Sequence, residues 1–323
     1  MDFQVSNLLL TLYREAKRRP LAGWREWALK RARDVLSFDS AAWVECRTEP
    51  ELEFHSLCAV EQPDGFLGSF RKYAAGSPML GHMLDRPGRA CDLYESIGRE
   101  ALLESDAYRT HFQRFGIEHI VCTNLQNAHL GISTFIAFYR HDYRQPFSAA
   151  ERFDAEVLSH HLLESYRTAL FFRLAQHRAG RLSDDCGYAL CNGQGLILQG
   201  TGLFGDLLRA EWPDWQGPRL PEAVRAGVTE SGEFVGRGFR VEVKPVETDL
   251  FLLEVLAQHG LDRLTPAERR VAEQLANGLT YKQTARELGI AVSTVTNHAN
   301  RIYRKLKIGN KVQLAQKLEG RAS

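Results

Sequence analysis

Three stretches near the C-terminus decide the fold there: Leu264-Thr265-Pro266-Ala267-Glu268, Gly278-Leu279-Thr280-Tyr281-Lys282-Gln283 and Ser293-Thr294-Val295-Thr296-Asn297-His298. In the first stretch, Thr265 can cap a helix that has proline at its first position, and Glu268 completes a capping box. Thr280 and Gln283 form a second capping box. Gly278 is suited to end the first helix because glycine tolerates the left-handed conformation that closes one. The pattern therefore predicts short helices with defined ends.

A third helix is predicted from about residue 292 to 306, and a final helix from about 311 to 318. Apolar residues recur at helical spacing along one face of the third helix, at Val295, Ala299, Ile302 and Leu306. The opposite face is polar and basic, with Thr296, Asn297, Asn300, Arg301 and Arg304. A module of this size can place one helix in the major groove of DNA.

Residues 264–318 resemble the LuxR/FixJ-type helix-turn-helix DNA-binding domain at nearly every motif position. The resemblance implies an all-α four-helix domain whose third helix reads DNA, and a last helix that often contributes to dimerisation. We therefore predict a DNA interface formed by Thr280, Lys282, Ser293, Thr294, Thr296, Asn297, Asn300, Arg301 and Arg304.

Two positions depart from this family. The family usually has a serine or threonine cap where this chain has Ala291, so either this helix start is weaker or Ser293 caps the helix one turn later. The family commonly has lysine at the position of Thr296, which instead offers a short hydroxyl and a methyl group that suits thymine. The operator preference of relatives is therefore not carried over.

The charge distribution supports DNA binding by this end of the chain. Residues 262–323 contain 12 Lys and Arg against 5 Asp and Glu, a balance of +7. The remainder contains 29 basic and 35 acidic residues, a balance of −6, so the near-neutral total of +1 hides two oppositely charged parts. A basic module is what phosphate binding requires.

Length and composition set the remaining bounds. A chain of 323 residues with 44% hydrophobic content is expected to form two or three domains with packed cores. It lacks an apolar run of about eighteen residues and a secretory leader, so we expect no membrane association and a cytoplasmic location. The six cysteines form no Cys-x-x-Cys pair, as expected of a reduced protein. Without a defensible catalytic, metal or cofactor motif, we predict a non-enzyme without cofactors.

The chain upstream of residue 180 is predicted to be α+β. Helices are expected up to about residue 36, followed by strands over 41–47 and 54–60, a helix over 65–75, a loop-rich stretch over 76–96, a helix over 105–115, strands over 118–126 and 131–140, and a long helix over 148–177. This order resembles a GAF-type sensor domain over roughly 20–165. The resemblance implies an antiparallel sheet with a ligand pocket on one face, and terminal helices that pair in dimers.

The middle of the chain, residues 181–258, resembles a shortened PAS-like fold. It reads as a strand hairpin over 187–199, a short helix over 202–210, a loop rich in tryptophan and proline, and an antiparallel pair over 238–256. Whether this unit has its own ligand or serves as a spacer and dimer contact stays open. Cys186 and Cys191 are a candidate redox pair, although two small strand residues explain them better.

The predicted fold class is thus an α+β multidomain protein: a GAF-like domain with flanking dimerisation helices over 1–180, a PAS-like domain over 181–258 and a helix-turn-helix domain over 259–323. Aromatic residues of the first domain are candidates to line a small-molecule pocket, although core packing explains them equally well: Trp43, Phe54, Tyr73, Tyr94 and Phe112. Acyl-homoserine-lactone receptors of this class place an Asp-Pro pair in the pocket, and this chain has no Asp-Pro. A lactone signal is therefore disfavoured.

The leading hypothesis is a dimeric, ligand-responsive transcriptional regulator that binds double-stranded promoter DNA, with RNA polymerase as a further candidate partner. Occupation of the sensor pocket would change helix pairing near residues 148–178 and reposition the two DNA-binding domains. The alternative hypothesis keeps DNA binding but makes the upstream region a protein-interaction platform without a small ligand.

Overall fold

Two antiparallel sheets with their helices precede a four-helix unit at the C-terminal end of the chain. The computed structural model describes residues 3–48, 51–74, 78–127, 131–178, 186–236, 238–257, 264–306 and 308–319. The predicted combination of antiparallel sheets with an all-α C-terminal domain is confirmed. The predicted domain boundaries near residues 180 and 258 lie outside the described residues and stay predictions.

The first sheet has five strands in the order β2-β1-β5-β4-β3. The strands are β1 (Ser40–Arg47), β2 (Glu53–Val60), β3 (Ala90–Asp92), β4 (His119–Asn127) and β5 (Ile132–Arg140). Both faces of the sheet are covered, and β1 is buried almost throughout. One face therefore belongs to a core shared with the terminal helices, and the other to a second core under the short helices.

The helices of this region are α1 (Phe3–Glu15), α2 (Trp24–Ala32), α3 (Phe66–Tyr73), α4 (Pro78–Asp85), α5 (Leu93–Ile97), α6 (Arg99–Glu104) and α7 (Ala149–Arg178). The expectation of a loop-rich stretch over 76–96 was wrong, since α4, β3 and most of α5 lie there. These elements have three to eight residues, too few for a periodic signal.

The helix predicted over 105–115 is also corrected. Helix α6 begins earlier and ends before Ser105, which has an extended backbone. The Ser105 hydroxyl donates to the Leu102 carbonyl and accepts from the Tyr108 amide. A π-helical turn (Tyr108–Phe112) and a 3-10 turn (Gln113–Phe115) follow. Ser105 thus ends one helix and starts the next turn, as serine favours at helix boundaries.

Helix α7 packs against both sheets and against α1 and α2. Its first turn carries a capping box, in which Glu151 accepts from the Ser148 amide while the Ser148 hydroxyl accepts from the Glu151 amide. Arg140, only 7% exposed, also binds Glu151 and the carbonyl of Ser37. Phe153, near the start of the helix, is 61% exposed. The buried apolar residues of α7 include Leu158, Leu162, Tyr166, Leu170 and Leu174.

The second sheet has five strands in the order β7-β6-β10-β9-β8. If the strands of each sheet are counted from one in chain order, both sheets have the order 2-1-5-4-3. Its elements are β6 (Cys186–Cys191), β7 (Ile197–Gly200), α8 (Gly202–Glu211), α9 (Glu222–Ser231), β8 (Glu233–Val235), β9 (Phe239–Glu247) and β10 (Leu250–Ala257). Both predicted hairpins are present, whereas α9 and β8 lie where only a loop was expected.

Tyr188 and Leu252 face the core shared with α7, and Phe204 and Leu253 face the core under α8 and α9.

The C-terminal unit contains α10 (Pro266–Ala276), α11 (Tyr281–Leu288), α12 (Val292–Leu306) and α13 (Lys311–Glu319). Among the described residues, no helix is long and apolar enough to cross a membrane.

The anchor at the start of α7 predicts a pH-dependent contribution to stability. Burial opposes ionisation of Glu151, but hydrogen bonds from Arg140 and Ser148 outweigh it and lower its pKa from 4.5 to about 2. Because the pKa of Glu151 is lower in the folded protein than in the unfolded chain, its ionised carboxylate stabilises the fold above pH 4.5. This stabilisation is lost as the pH falls towards 2. Glu151→Gln should therefore be less stable than wild type at pH 7, and this difference should shrink between pH 4.5 and pH 2 in urea unfolding.

Glu164→Gln is the matched control, because Glu164 lies on the same helix in an exposed pair with Arg167. Exposed pairs of this kind contribute little. A constant difference between wild type and Glu151→Gln over this pH range would contradict the assignment.

Candidate nucleic-acid interface and ligand cavity

One face of α12 forms the core of the C-terminal unit. Val295, Ala299 and Ile302 are fully buried, and Leu306 is nearly so, as the helical spacing predicted. They pack with Val271 and other residues of α10 and α11 in one cluster. The core therefore fixes which side of α12 can face a partner.

The opposite side of α12 is open. Asn297, Asn300, Arg301 and Arg304 are all exposed and recur at the spacing of one helix face. Each side chain can donate hydrogen bonds to acceptors on base edges or phosphates. The structure thus brings four of the residues predicted to contact DNA together on one surface.

The other predicted contacts are at the two helix starts. Thr280 caps α11 and exchanges hydrogen bonds with Gln283, so its hydroxyl is already engaged. Lys282 is exposed in the first turn of α11. Ser293 and Thr294 lie in the first turn of α12, exposed and half-buried respectively. The contact of these residues with DNA stays a prediction.

Helix α12 begins where the sequence predicted, despite Ala291. The Ala291 carbonyl accepts from the amides of Thr294 and Val295, so the first turn forms directly after it. Ser293 lies inside that turn. The alternative in which Ser293 caps α12 one turn later is therefore wrong. The Thr296 hydroxyl donates to the Val292 carbonyl at 3.0 Å. Thr296 therefore presents a methyl group and oxygen lone pairs rather than a free donor.

An ion pair between a buried carboxylate and a half-buried lysine joins α12 to α10. Glu268 accepts from the Thr265 amide at 2.8 Å and from Lys305 Nζ at 2.6 Å, with its side chain only 4% exposed. Burial raises the pKa of Glu268, but the hydrogen bonds from Lys305 and Thr265 outweigh it and lower the pKa overall. The same carboxylate thus caps one helix and holds another.

A separate cavity lies on one face of the first sheet. It leaves about 60 Å³ of free space. Side chains from β1, β4 and β5 form its floor, and α3, α4 and the π-helical turn close it. Its walls include Ala42, Val44, Ile120, Ala137 and Met83. The arrangement matches the predicted pocket on one face of an antiparallel sheet.

Three of the five predicted ligand residues line this cavity: Phe54, Tyr73 and Phe112. Trp43 does not, because it points to the other face of the sheet and packs edge-on against Tyr166 of α7 at 5.7 Å between ring centroids. Tyr94 packs against His119 at 5.2 Å and lies outside the lining. Placing Trp43 and Tyr94 at the cavity is therefore corrected.

Among the lining residues that the structure describes, the polar side-chain groups are the hydroxyls of tyrosines and the thiols of cysteines. Tyr139 is only 3% exposed, and burial raises the pKa of its hydroxyl. Burial likewise raises the pKa of Tyr73 and of the Cys122 thiol, and raises the pKa of Cys46 to about 12. All four groups are therefore protonated and neutral at physiological pH. Sequence reasoning missed Tyr139 because it lies in a strand buried on both faces.

Cys186 and Cys191 do not form a pair. Cys186 belongs to the core shared with α7, and Cys191 belongs to the core under α8 and α9, on the opposite face of the second sheet. Burial raises the pKa of Cys191 to about 12, which makes it a poor nucleophile. In the described part of the chain, no cluster of His, Cys, Asp and Glu could hold a metal ion.

Comparison with known proteins identifies the C-terminal unit. Residues 262–318 match the family model GerE, described as bacterial regulatory proteins of the luxR family. The transcriptional regulatory protein UhpA of Escherichia coli is 43% identical over 63 residues, covering 20% of this chain and 32% of UhpA. UhpA of Salmonella typhimurium is equally similar. These residues form a LuxR-family helix-turn-helix domain, and the match spans about a third of the length of these curated relatives.

Solved structures are similar to more of the chain, but weakly. Escherichia coli SdiA has a TM-score of 0.42 at 12% identity, covering 97% of this chain and 96% of SdiA. A GAF domain/HD domain protein from Geobacter sulfurreducens has a TM-score of 0.33 at 15% identity, covering 51% of this chain and 97% of that protein.

The buried carboxylate predicts a local stability effect in the helix-turn-helix domain. Glu268→Gln keeps the size of the side chain but removes the charge that Lys305 faces, so opening of α10 and α12 should become easier by about 1 kcal/mol. Hydrogen exchange of the full chain, read by mass spectrometry, should show roughly fivefold faster exchange in these helices. Glu273→Gln, at an exposed position of α10, is the control. Unchanged exchange in Glu268→Gln would rule out this role.

Proposed function

We propose that the protein is a transcriptional regulator that binds double-stranded DNA sequence-specifically through α12. The observation that carries this proposal is the exposed polar and basic face of α12 within a LuxR-family domain. Arginine and asparagine on such a face suit guanine and adenine edges. The net charge of +7 over residues 262–323 supports phosphate contacts around it.

The cavity supports a sensory role for the first sheet. Ala42 and Val44 of β1 line the cavity, while Trp43 between them packs on Tyr166 of α7. A ligand that widens the cavity would therefore move a strand that contacts α7 directly. Occupancy would shift the population between two arrangements of α7 and so reposition the DNA-binding domains.

Exposed apolar side chains on α1 and α7 support a homodimer. Phe3 and Leu10 of α1 are 83% and 63% exposed, and Phe171 of α7 is 59% exposed. Phe3 and Leu10 are seven residues apart and so lie on one face of α1, and α1 packs against α7. Exposed apolar side chains that share a surface mark interaction sites. A dimer would present two α12 helices to half-sites about one helical turn apart. RNA polymerase is the further partner that we propose for the DNA-bound dimer.

The alternative function is a DNA-binding regulator whose upstream region is a protein-interaction platform. The small free space of the cavity, about 60 Å³, and the same exposed side chains favour it. Thermal-shift screening of the full chain against metabolite pools separates the two functions. A ligand that raises the melting temperature and changes DNA affinity supports sensing, and no shift across all pools supports the platform.

Arg301→Ala tests the DNA-reading face. DNA that wild type selects from a random library should bind the variant at least tenfold more weakly, because a base or phosphate contact is lost. Fluorescence anisotropy measures this affinity at fixed salt. Arg225→Ala removes one positive charge from α9 and should bind as wild type does. Equal binding by Arg301→Ala would show that the orientation of α12 is wrong.

Leu10→Asp tests the dimer face. Placing a charge on an apolar contact should weaken self-association at least tenfold, since burying one leucine contributes roughly 2 kcal/mol. Analytical ultracentrifugation measures the association. Val235→Asp, at a similarly exposed position of β8, is the control. A Leu10→Asp chain that dimerises as wild type does would exclude this face.

A further inference from the structure

A group of three charged residues, called here the Glu53 cluster, joins the two sheet regions at the end of the β1–β2 hairpin. Glu53 of β2 accepts from Arg47 Nη2 of β1 at 2.8 Å and from Arg219 Nε at 2.7 Å. Arg219 belongs to the loop between α8 and α9, so its bond links the first sheet to the region of the second. The three residues also border an open cleft of about 320 Å³. Water therefore reaches all three charges.

A histidine lies against this cluster without a hydrogen bond. The side chain of His55 has no exposed surface, and its Nδ1 lies 3.9 Å from Glu53 Oε1, the oxygen that Arg219 binds. Among the residues that the structure describes, neither ring nitrogen of His55 has a hydrogen-bond partner. Since buried polar atoms are almost always hydrogen-bonded, two unpartnered nitrogens on one ring are exceptional.

A β-bulge places His55 beside the cluster. Ser56 pairs with Glu45 of β1 and Phe54 pairs with Cys46, which leaves His55 without a partner across the strands. A bulge can re-aim a side chain, and the extra residue here is the histidine of the strand. The irregularity in β2 therefore sets an ionisable ring beside charges that are already paired.

The surroundings of His55 keep its ring neutral at pH 7. The charged groups that act on the ring are Glu53 of its own strand, Arg47 of β1 and Arg219 of the α8–α9 loop. Burial lowers the pKa of His55 below the usual 6.5, and the two arginines add to this effect while Glu53 opposes it. Glu45, the acidic residue of β1, is engaged by Arg25 at 2.9 Å. The closed cluster therefore holds an uncharged imidazole.

Acidification changes this balance. A protonated ring is a third cation beside one carboxylate, and a charge without exposed surface is costly. Arg219 is the more exposed of the two arginines, at 40% against 33% for Arg47, and it lies in a loop rather than in a strand. Arg219 is therefore the easier arginine to release. Strand β2 lies at the edge of its sheet, so opening its end lets the ring reach water.

We propose that His55 makes the contact between the two sheet regions sensitive to pH: protonation of its ring opens the end of β2 and releases Arg219 from Glu53. Because the closed form binds this proton less well than the open form, the closed form is favoured above pH 6.5 and weakens as the pH falls below it. Both sheets pack on α7, so loss of this contact changes what holds that helix.

Hydrogen exchange of the full chain at about pH 7.5 and about pH 5.5, corrected for intrinsic exchange rates and read by mass spectrometry, tests this inference. Protection of β2 over residues 53–57 should fall by up to about tenfold at the lower pH, the limit for one proton and an open-state pKa of 6.5. Protection of the loop over residues 214–221 should fall roughly fivefold, as expected when one hydrogen bond no longer holds it.

His55→Phe tests the assigned group. The variant keeps a ring and removes no hydrogen bond that the structure describes, but it cannot be protonated, so both falls in protection should disappear. His82→Phe, at an exposed position of α4, is the matched control and should respond to pH as wild type does.

Arg219→Gln tests the link between the sheet regions and does not depend on how phenylalanine fits at residue 55. Its loop should be about as weakly protected at the higher pH as the wild-type loop is at the lower one, with no further fall, while the fall in β2 remains. Equal protection of wild type at both pH values, an unchanged fall in His55→Phe, or a further fall of the loop in Arg219→Gln would overturn the inference. These outcomes are independent of DNA binding and of any ligand in the cavity.

Discussion

The burial of one long face of α7 is the interaction on which the upstream region depends. This helix packs against strands of both sheets and against α1 and α2, so one core runs continuously from Leu12 of α1 to Leu252 of β10. An isolated helix gains little from its own hydrogen bonds, and tertiary packing supplies most of its stability. Removing α7 would therefore expose one face of each sheet at once.

Buried arginines hold both ends of this helix. Arg140 joins the end of β5 to Glu151 in the first turn of α7. Near the other end, Arg173 pairs with Glu247 of β9, whose second oxygen accepts from the Leu21 amide. Breaking one partner of a buried pair is costly because the other charge stays buried. The helix is thus tied at one end to the first sheet and at the other to the second, and motion of either sheet reaches it.

The helices of the helix-turn-helix domain can be predicted from the sequence because the residues that define their ends and buried faces are close together in the chain. Its capping boxes join residues three apart, and the buried face of α12 recurs within a single helix, so neighbours in the chain decide the outcome. The cavity depends instead on strands that are distant in sequence. Because β1 is buried on both faces, its residues show no alternation that could separate Trp43 from Ala42 and Val44.

The sequence by itself therefore determined the helix-turn-helix module, the hairpin strands of the two sheets without β3 and β8, and the long helix α7. Only the tertiary structure decided which side of the first sheet faces the cavity, that α4 and its methionines close that cavity, and that Cys186 and Cys191 face different cores. The physical reason is the range of the interactions. Helix caps and helix faces are set within a few residues, whereas strand faces and cavity walls are set by contacts between residues far apart in the chain.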